Sequence, residues 1–392
     1  MSASAEELDV LALNSGSSSL KFGLFRAGPA RAKLLVGGEV ETIGGKDGKF
    51  RAGDACGNVL INETACFSGQ TEALDRIVGF LVQSKMPIPA AIGHRIVHGG
   101  PKLRNHCLID EQVLRLLEAA SAFAPLHIPP ALSVIRHAQA LFPHRPHAAC
   151  FDTAFHKDMP DVARILPISK ELESEGVQRY GFHGLSCESI VRQMADDLPE
   201  RLIIAHLGNG ASVTAVDRGK SIDTSMGLTP TGGVMMGTRS GDLDPGVLVY
   251  LARERHFDAG MLEDLVDNRS GLRGVSGLAS DMRILRQAST SNADARFAIR
   301  MFCYSVRKQI AAMTSALGGV DLIAFTGGIG ENDAEVRAEI CDGLSWVGVG
   351  LDGPRNRSAK NPVSGSASRC RVLVLPSQED EQIARHSRAL LQ

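Results

Sequence analysis

The stretch LDVLALNSGSSSLKFGLF, residues 8–25, places two apolar strand-like runs on either side of a turn made of Asn, Gly and Ser. The stretch LIIAHLGNGASVTAV, residues 202–216, repeats this strand, small-residue turn and strand half a chain later. Small residues let a backbone approach a bulky anion, and the N–H and hydroxyl groups of such turns can bind phosphate. The repetition therefore predicts a duplicated domain with a nucleotide phosphate chain held between the two halves.

The turns have two other interpretations. A Walker A loop is disfavoured, because NSGSSSLK lacks the second glycine of GxxxxGK[ST] and KFGLF continues as a strand. Ordinary polar hairpin turns are the alternative, since Gly, Ser and Asn are common in them. A third glycine cluster, GGIGEN at 327–332, follows the strand-like LIAFT and precedes a helix-like segment. Such a junction would let a flat ring or ribose lie against the backbone, although a tight strand-to-helix turn looks the same.

Composition limits the class of protein. The 392 residues are 44% apolar and 22% charged, which is typical of a soluble globular chain long enough for two domains. The formal net charge of -2 gives no electrostatic reason for a nucleic-acid partner. The opening MSASAEELDV does not look like a signal peptide, and no apolar run reaches the roughly 18–20 residues of a membrane span. The eight cysteines lack zinc-like spacing, so we expect a cytoplasmic protein with reduced thiols.

Strand-like and helical patterns alternate in both halves, which predicts α/β architecture. The strand predictions are LDVLAL, KFGLF, LLVGGEV, AAIGHRIVH, HAACFDTAF, LIIAHL, VTAV, VDLIAFT and RVLVLP. The helix predictions are a segment beginning at an N-cap Thr71, EQVLRLLEAASAF after a cap at Asp110, residues 294–317, and EDEQIARHSRALL. A Gly-rich charged stretch at 44–58 and the stretch 352–370 are predicted as irregular.

Two arginines stand in unusual settings. Arg95 ends an apolar strand at a Gly pair, where its guanidinium needs a carboxylate or phosphate partner, so a structural ion pair is one interpretation and a ligand contact another. Arg239 lies in the loop MMGTRSGDLDPG, whose glycines would let it reach a ligand, although a loop arginine is often merely solvated.

Three further features are candidates for site residues. His183 is bracketed by glycines in RYGFHGLS and could approach a substrate, although a lone histidine is often structural. Asp152 lies on an apolar strand, and Mg²⁺ or an arginine would satisfy its buried charge. The acidic cluster 379–381 begins a helix, where acids also suit the helix dipole.

The motifs together resemble a known family. The resemblance rests on the following segments: NSGSSSLKF, GHRIVHGG, APLHIPP, FDTAFH, RYGFHG, HLGNGAS, TSMGLTPTGGVMMGTRSGDLDPG, FTGGIGEN and PSQEDEQIA. They run from residue 14 to 384, nearly the whole chain, and are similar to the acetate/propionate kinase family within the actin-like ATPase superfamily.

The resemblance implies a fold and an activity. The fold would be two duplicated actin-like (ribonuclease H-like) α/β domains, residues 1–153 and 154–381, with 382–392 packing back on the first and the active site in the cleft between them. The activity would be reversible transfer of the ATP γ-phosphoryl group to acetate, giving acetyl phosphate and ADP, with Mg²⁺ or alternatively Mn²⁺. A homodimer and metabolic coupling to a phosphate acetyltransferase, or another enzyme that produces acetyl phosphate, are also implied.

The resemblance also implies roles for individual residues. The catalytic set would be Asn14, Arg95, Asp152, His183 and Arg239. Asn14 and Glu379 would hold the metal, and Arg95 with a pocket of Val97, Leu126, Phe182 and Pro230 would bind the acyl substrate. The nucleotide would contact Lys21, Leu207, Gly208 and Met282, and its phosphates would contact His206, Asn209 and Gly210. Its adenosine would be held by Asp281, Arg283, Gly327, Gly328, Ile329, Gly330, Glu331 and Asn332.

The chemistry of the acceptor agrees with these roles. A carboxylate has a pKa of about 4, so it is an anion at neutral pH and needs no general base. It needs cancellation of the repulsion between two anions, which two arginines, a histidine and Mg²⁺ would supply in a direct in-line transfer without a phosphoenzyme.

Two segments depart from the family pattern. After RYGFHG the family usually continues Thr-Ser-His, whereas this chain has Leu185, Ser186 and Cys187. The missing histidine leaves the local support of His183 in doubt. Pro101 stands where an acid is common, and we expect little effect from it.

Rival functions stay open at this point. A propionate or butyrate kinase of the same family is the nearest rival, and Val97 favours acetate by narrowing the pocket. A nucleotide-switched binding protein of the actin or chaperone type would need the phosphate turns but not Arg95, His183 and Arg239. A scaffold with a dead site is poorly supported, because every predicted catalytic position carries the expected residue.

Overall fold

The computed structural model describes residues 7–16 and 18–392. It divides into two compact units: one runs up to Lys157 and includes Gln378–Gln392, and the other is Asp158–Ser377. The limits 1–153 and 154–381, with 382–392 returning to the first domain, stay a prediction. Residues 1–6, which carry part of the signal-peptide expectation, and Ser17 of the first turn lie outside the described residues.

The first unit is built on one sheet. Its strands are β1 (Leu8–Ser15), β2 (Ser19–Ala27), β3 (Ala32–Glu41), β4 (Gly48–Asp54), β5 (Val59–Ala65), β6 (Ala91–Ile96), β7 (Cys107–Leu108) and β8 (His147–Phe151). Their order is β5-β4-β3-β2-β1-β6-β8-β7. The helices before residue 158 are α1 (Gln70–Gln83), α2 (Glu111–Ala119) and α3 (Ile128–Leu141). Short 3₁₀ turns span Ala120–Phe123 and Ala154–His156.

The second unit is built on a smaller sheet. Its strands are β9 (Arg201–Leu207), β10 (Ala211–Asp217), β11 (Lys220–Thr224), β12 (Leu322–Thr326) and β13 (Arg371–Val374), in the order β11-β10-β9-β12-β13. Its helices are α4 (Asp161–Arg164), α5 (Lys170–Ser174), α6 (Gly184–Gln193), α7 (Pro245–Arg255), α8 (Ala259–Asn268), α9 (Gly271–Ser276), α10 (Met282–Ala288), α11 (Ala293–Ala316), α12 (Gly327–Asn332), α13 (Ala334–Asp342) and α14 (Gly353–Arg357). Short 3₁₀ turns span Ala195–Asp197 and Ser345–Val347, and α15 (Glu379–Ala389) returns to the first unit.

Each of the two sheets contains five strands with the same pattern of pairing. In the first, β1 pairs antiparallel with β2, which pairs antiparallel with β3, and β1 pairs parallel with β6, which pairs parallel with β8. In the second, β9, β10, β11, β12 and β13 repeat the same pairings. This repetition is the duplication that the two hairpin motifs predicted, and the α/β architecture is confirmed.

Apolar side chains fill the first unit where α1 packs on the sheet. Phe22, Phe50 and Phe80 form an aromatic cluster, in which the rings of Phe50 and Phe80 are 5.6 Å apart and nearly perpendicular. Leu74 and Ile77 of α1 are fully buried there.

The helix α15 packs on the strands β1, β6 and β8 of the first sheet. The thiol of Cys150 donates to the carbonyl of Ile383 at 3.8 Å. Any side chain at Gly93 would collide with Ile383 and Ser387, so a glycine at this position lets the helix lie against β6. The N-terminal end of α15, with its acids, is thereby held on this sheet.

The irregular stretches predicted from composition are partly wrong. Residues 44–58 contain β4, whose side chains alternate between buried and exposed, and β5 follows it. Glycines and charges hid this pattern, because only one face of the strand is apolar. The stretch 352–370 contains α14, which Asp352 caps by accepting from the N–H of Arg355.

Helix boundaries were also misplaced in two cases. Thr71 lies inside α1, which begins at Gln70 after Gly69 with no side-chain cap, whereas Asp110 caps α2 as predicted by accepting from the N–H of Val113. GGIGEN forms the short helix α12 itself rather than a turn that precedes one. Across residues 7–16 and 18–392, no helix has the length and apolar character needed to cross a membrane.

Candidate active site

Three polar side chains meet at the ends of neighbouring strands in the first unit. Asn14 is on β1, Arg95 on β6, and Asp152 directly follows β8. Because β1, β6 and β8 are parallel, their carboxyl ends lie on one edge of the sheet. Arg95 Nη2 is 2.6 Å from Asp152 Oδ2, and Arg95 Nη1 donates to Asn14 Oδ1 at 2.9 Å.

The Arg95–Asp152 pair is buried. The Asp152 side chain is 1% exposed and that of Arg95 is 17% exposed. Burial alone would lower the pKa of Arg95, but the carboxylates of Asp152 and Glu379 raise it above its ordinary value. Arg95 therefore forms the structural ion pair that was one of its two interpretations. Of the two cations considered for Asp152, an arginine is the one found beside it.

Two carboxylates of α15 adjoin this network. Asn14 Nδ2 donates to Glu379 Oε2 at 3.1 Å and to Asp380 Oδ1 at 3.2 Å. Burial, followed by the nearby Glu379 carboxylate, raises the pKa of Asp380 to about 6. Amide and carboxylate oxygens are ligands that Mg²⁺ prefers, and a divalent cation would cancel the repulsion between the two acids. The donor set of Asn14, Glu379 and Asp380 thus fits the metal that the resemblance implies.

The first small-residue turn is held by a side chain that sequence reasoning missed. Gln70, at the start of α1, donates from Nε2 to the carbonyls of Gly16 and Ser19 at 2.9 and 3.3 Å. Lys21 lies opposite Asn14 in the β1–β2 pairing and 4.0 Å from Glu39. The signal for Gln70 was weak, because a glutamine at a helix start is common on any surface.

In the second unit, the turn between β9 and β10 brings the predicted histidine and arginine together. A Cβ added to Gly210 would lie 3.2 Å from His183 Nε2 and 3.4 Å from Arg239 Nη1. The turn is therefore in close contact with both side chains. The carbonyl of Asn209 accepts from the N–H of Gly237 at 3.0 Å, which ties the turn to the loop that carries Arg239.

His183 is held in an uncommon conformation. Its φ of 57° lies in the left-handed region, at the residue before α6. Its Nδ1 is 2.9 Å from Ser212 Oγ, and its ring stacks on His206 with centroids 4.2 Å apart. His206 Nδ1 is in turn 2.8 Å from Ser186 Oγ.

These contacts answer the doubt raised by the missing family histidine. Cys187, at that position, is buried, and its thiol lies 3.8 Å from Thr214 Oγ1. His183 is in contact with Ser212 and His206, the two ends of the family segment HLGNGAS. Ser212 was within a quoted motif, but nothing in the sequence marks which side chain faces across the sheet.

Contacts with neighbouring backbone hold Arg239 in place. Its Nη1 donates to the carbonyl of Pro230 at 3.0 Å. The backbone of Gly271 packs so closely against Met236 and Arg239 that a Cβ there would collide with both. Gly271 also has φ +63°, so its glycine satisfies two constraints at once.

The predicted adenosine segment, residues 327–332, adjoins the turn between β9 and β10. Gly327 has φ +78°, and a Cβ there would lie 2.8 Å from the carbonyl of Leu207. Glu331 Oε1 accepts from the N–H groups of Gly327 and Ser377, both at 3.0 Å. Asn332 Nδ2 donates back to the carbonyl of Gly328 at 2.9 Å.

The other predicted adenosine contacts lie on α10. Asp281 caps this helix by accepting from the N–H of Arg283, and Arg283 Nη2 is 2.6 Å from Asp281 Oδ2. The side chain of Arg283 is 88% exposed, whereas Met282 is buried. Arg286 pairs with Asp333 at 3.0 Å, which joins α10 to the end of the adenosine segment.

The residues predicted to bind the acyl methyl group lie in different surroundings. In the first unit, Val97 is half-buried and Leu126 is 40% exposed. In the second, Phe182 and Pro230 are buried. In the first unit, the structure brings together the predicted residues Asn14, Arg95 and Asp152. In the second unit, it brings together His183, Gly210 and Arg239.

Comparison with known proteins identifies the family. Residues 9–385 match the profile described as the Acetokinase family. The chain belongs to the acetokinase family. An acetate kinase of Methylocella silvestris is 41% identical to this acetokinase, over 97% of this chain and 98% of that relative.

Solved structures of similar proteins have the same fold. A propionate kinase from Francisella tularensis subsp. tularensis is 36% identical to this acetokinase, with a TM-score of 0.91 over 98% of this chain and 100% of that chain. An acetate kinase of Porphyromonas gingivalis is 35% identical, with a TM-score of 0.86 over 99% and 100%. The acetokinase therefore has the actin-like fold that the sequence predicted.

Proposed function

We propose that this acetokinase transfers the γ-phosphoryl group of ATP to acetate, reversibly, giving acetyl phosphate and ADP. The observation that carries the proposal is the arrangement around Gly210, where a phosphate-binding turn lies in contact with His183 Nε2 and Arg239 Nη1. A nucleotide switch needs the turn but has no use for a histidine and an arginine donor beside it. Membership of the acetokinase family supports the same reaction.

The groups of the second unit would bind and stabilise the transferring phosphoryl group. When the hydroxyl of Ser212 donates to His183 Nδ1, Nε2 carries the proton and is a donor to a phosphoryl oxygen. Arg239 adds a fixed positive charge. Charge that develops on the equatorial oxygens during in-line transfer is stabilised by such preorganised donors. Leu207 to Gly210 and residues 327–332 would bind the phosphates and the adenosine.

The groups of the first unit would hold the metal and the acceptor. Asn14 and Glu379, with Asp380 added from the structure, would ligate Mg²⁺, with Mn²⁺ as a substitute. When bound, the metal neutralises phosphate charge. Arg95, kept cationic and oriented by Asp152, would attract the acetate carboxylate.

Transfer would be direct. An acetate oxygen forms the new P–O bond while the bond from the γ-phosphorus to the β–γ bridging oxygen breaks, and ADP leaves with that electron pair. Acetate is already an anion at neutral pH, so no proton is removed. Isolation of a kinetically competent phosphorylated Asp or Glu would overturn direct transfer.

A hydroxamate assay tests the proposal. ATP, Mg²⁺ and acetate should give acetyl phosphate, which hydroxylamine traps, and omission of acetate should abolish the signal. ATP hydrolysis without any acyl phosphate would instead identify a nucleotide-switched protein. Parallel assays with propionate and butyrate test the rival acceptors, and we expect acetate to have the highest kcat/KM because Val97 restricts the pocket.

We also propose a homodimer whose interface includes α7 and α11. Val247, Val249 and Tyr250 of α7 are exposed, and none of the residues of this helix is buried. Met301 and Tyr304, on neighbouring turns of α11, are exposed as well. A helix with exposed apolar side chains and no buried face gains little stability by itself. We therefore expect a second copy of the chain to pack against α7 and α11.

Light scattering after size-exclusion chromatography tests this interface. The mass should be about twice the 41.7 kDa of one chain, and Tyr250→Glu with Tyr304→Glu should halve it. A wild-type monomer would overturn the proposal. Family membership further supports a cytoplasmic location and coupling to a phosphate acetyltransferase or another enzyme that produces acetyl phosphate.

A further inference from the structure

Arg337, on α13, is a buried cation outside the predicted site. It is 1% exposed, and it is among the largest fully buried side chains of the described residues. Its Nη1 donates to the carbonyls of Gly330 and Glu331 at 2.8 and 2.9 Å. Its Nε and Nη2 donate to the side-chain and backbone oxygens of Asn356 at 2.8 and 2.6 Å.

The partners of Arg337 are unusual for a buried cation. In the described part of the chain, its hydrogen bonds all go to carbonyl and amide oxygens. Burial lowers the pKa of Arg337, and the charge of Asp333 offsets this only in part. Burying a guanidinium without a carboxylate in hydrogen-bond contact is costly. An apolar residue would avoid this cost, but it could not donate hydrogen bonds to the carbonyls that Arg337 binds.

The two carbonyls that Arg337 binds belong to the adenosine segment. This segment is a six-residue helix that contains Gly327, Gly328 and Gly330. Glycine disfavours helix by about 1 kcal/mol per residue, and so short a helix is not stable alone. Glu331 binds its first N–H, and Arg337 binds carbonyls near its last turn, so side chains fix both ends.

We propose that Arg337 is a positioning residue for nucleotide binding: it holds the adenosine segment in its binding conformation without touching the nucleotide. The inference rests on the proposed function, because that function assigns residues 327–332 to adenosine. A segment held in one conformation binds with higher affinity than one that must first be ordered, since the ordering free energy is otherwise subtracted from binding.

The chain offers a matched control in Arg307. This arginine, on α11, donates to the carbonyls of Glu339 and Ile340 near the end of α13. It therefore makes the same type of contact to α13, the helix that carries Arg337, and not to residues 327–332. Arg307→Met removes such a cap away from the adenosine segment.

The test is ADP affinity by isothermal titration calorimetry without acetate, together with steady-state kinetics. Arg337→Met should weaken ADP binding and raise the KM for ATP about tenfold, with kcat and the KM for acetate within about twofold of wild type. Arg307→Met should lower the Tm and leave ADP affinity unchanged. Arg337→Lys, which keeps the charge but not the planar fork, should weaken binding by a smaller factor, and it is the deciding variant if Arg337→Met does not fold.

Each outcome has a separate meaning. Unchanged ADP affinity in a folded Arg337 variant would overturn the positioning role and leave the proposed reaction intact. An equal loss of ADP affinity in Arg307→Met would also overturn it, because the effect would then be general destabilisation. Normal ADP binding by the wild type without acetyl phosphate formation would overturn the proposed reaction, and the ADP affinities of the Arg337 variants would still decide the positioning role.

Discussion

The two arginines assigned to the reaction have different hydrogen-bond partners. Both are half-buried, but the guanidinium of Arg95 is bound by Asp152 and Asn14, whereas Arg239 donates to the carbonyl of Pro230. Loss of Arg95 would leave the carboxylate of Asp152 buried without its cation. The two positions therefore predict different consequences for stability.

Arg95→Ala and Arg239→Ala should each lower turnover by roughly 10³-fold, on the scale of an arginine finger. Arg95→Ala should also lower the free energy of unfolding by about 3–5 kcal/mol, because it breaks a buried ion pair. Arg239→Ala should leave it nearly unchanged. Turnover by the hydroxamate assay and unfolding in urea measure the two effects. Near-native turnover in both variants would contradict their assignment.

Val97 is the residue expected to set acceptor size. Val97→Ala should raise the ratio of kcat/KM for propionate over acetate about tenfold, since one methylene in a pocket corresponds to about 1–3 kcal/mol. Competing acetate and propionate assays on the same preparation measure the ratio. If it does not change, Val97 does not line the acyl pocket.

At the level of elements, the β9–β10 turn has the tightest geometric requirement. A methyl group at Gly210 would be within 3.4 Å of both His183 Nε2 and Arg239 Nη1, so these groups would have to shift by a few tenths of an ångström. Gly79, inside α1, is a matched control because a Cβ there meets nothing within 4 Å.

Gly210→Ala should lower kcat about tenfold to 100-fold with little change in Tm, because small misplacements of catalytic groups are costly while the fold is unaffected. Gly79→Ala should keep full activity and raise stability by about 0.5–1 kcal/mol, as expected for glycine replaced in a helix. Equal activities of the two variants would show that the turn tolerates displacement.

At the level of the whole molecule, a buried histidine pair predicts how stability depends on pH. His94 Nε2 is 2.9 Å from His147 Nδ1, on neighbouring strands of the first sheet. Burial, together with the facing His147, lowers the pKa of His94 well below its usual value, and burial also lowers the pKa of His147. In the unfolded chain both would titrate at about 6.5.

The sign follows from proton binding. Between the lowered pKa values and about pH 6.5, the unfolded chain binds more protons than the folded one, so stability falls as pH decreases through that range. Each histidine contributes a slope of up to about 1.4 kcal/mol per pH unit. Urea unfolding at pH 5.5 and 7.5 should show the loss, and His94→Gln should reduce it. An identical pH dependence in His94→Gln would exclude the pair as its source.

The limits of prediction are visible in particular residues. The hairpins at 8–25 and 202–216 were predictable because apolar runs flanked by glycines are local signals. β4 was missed because its one apolar face is interrupted by glycine and charge. Gln70 and Ser212 were not predicted as site residues, and Asp380 was named only within the acidic cluster 379–381, because their importance depends on which side chain each one faces.

The sequence by itself determined the duplicated α/β fold, the family and the residue types available for phosphoryl transfer, since these depend on local patterns and motifs. The tertiary structure alone decided that Arg95 is bound by Asp152, that Ser212 contacts His183, and that Arg337 donates to the carbonyl of Gly330. These partners are 57, 29 and 7 residues apart in the chain. Side-chain pairing across strands and between helices is set by packing, which no local pattern encodes.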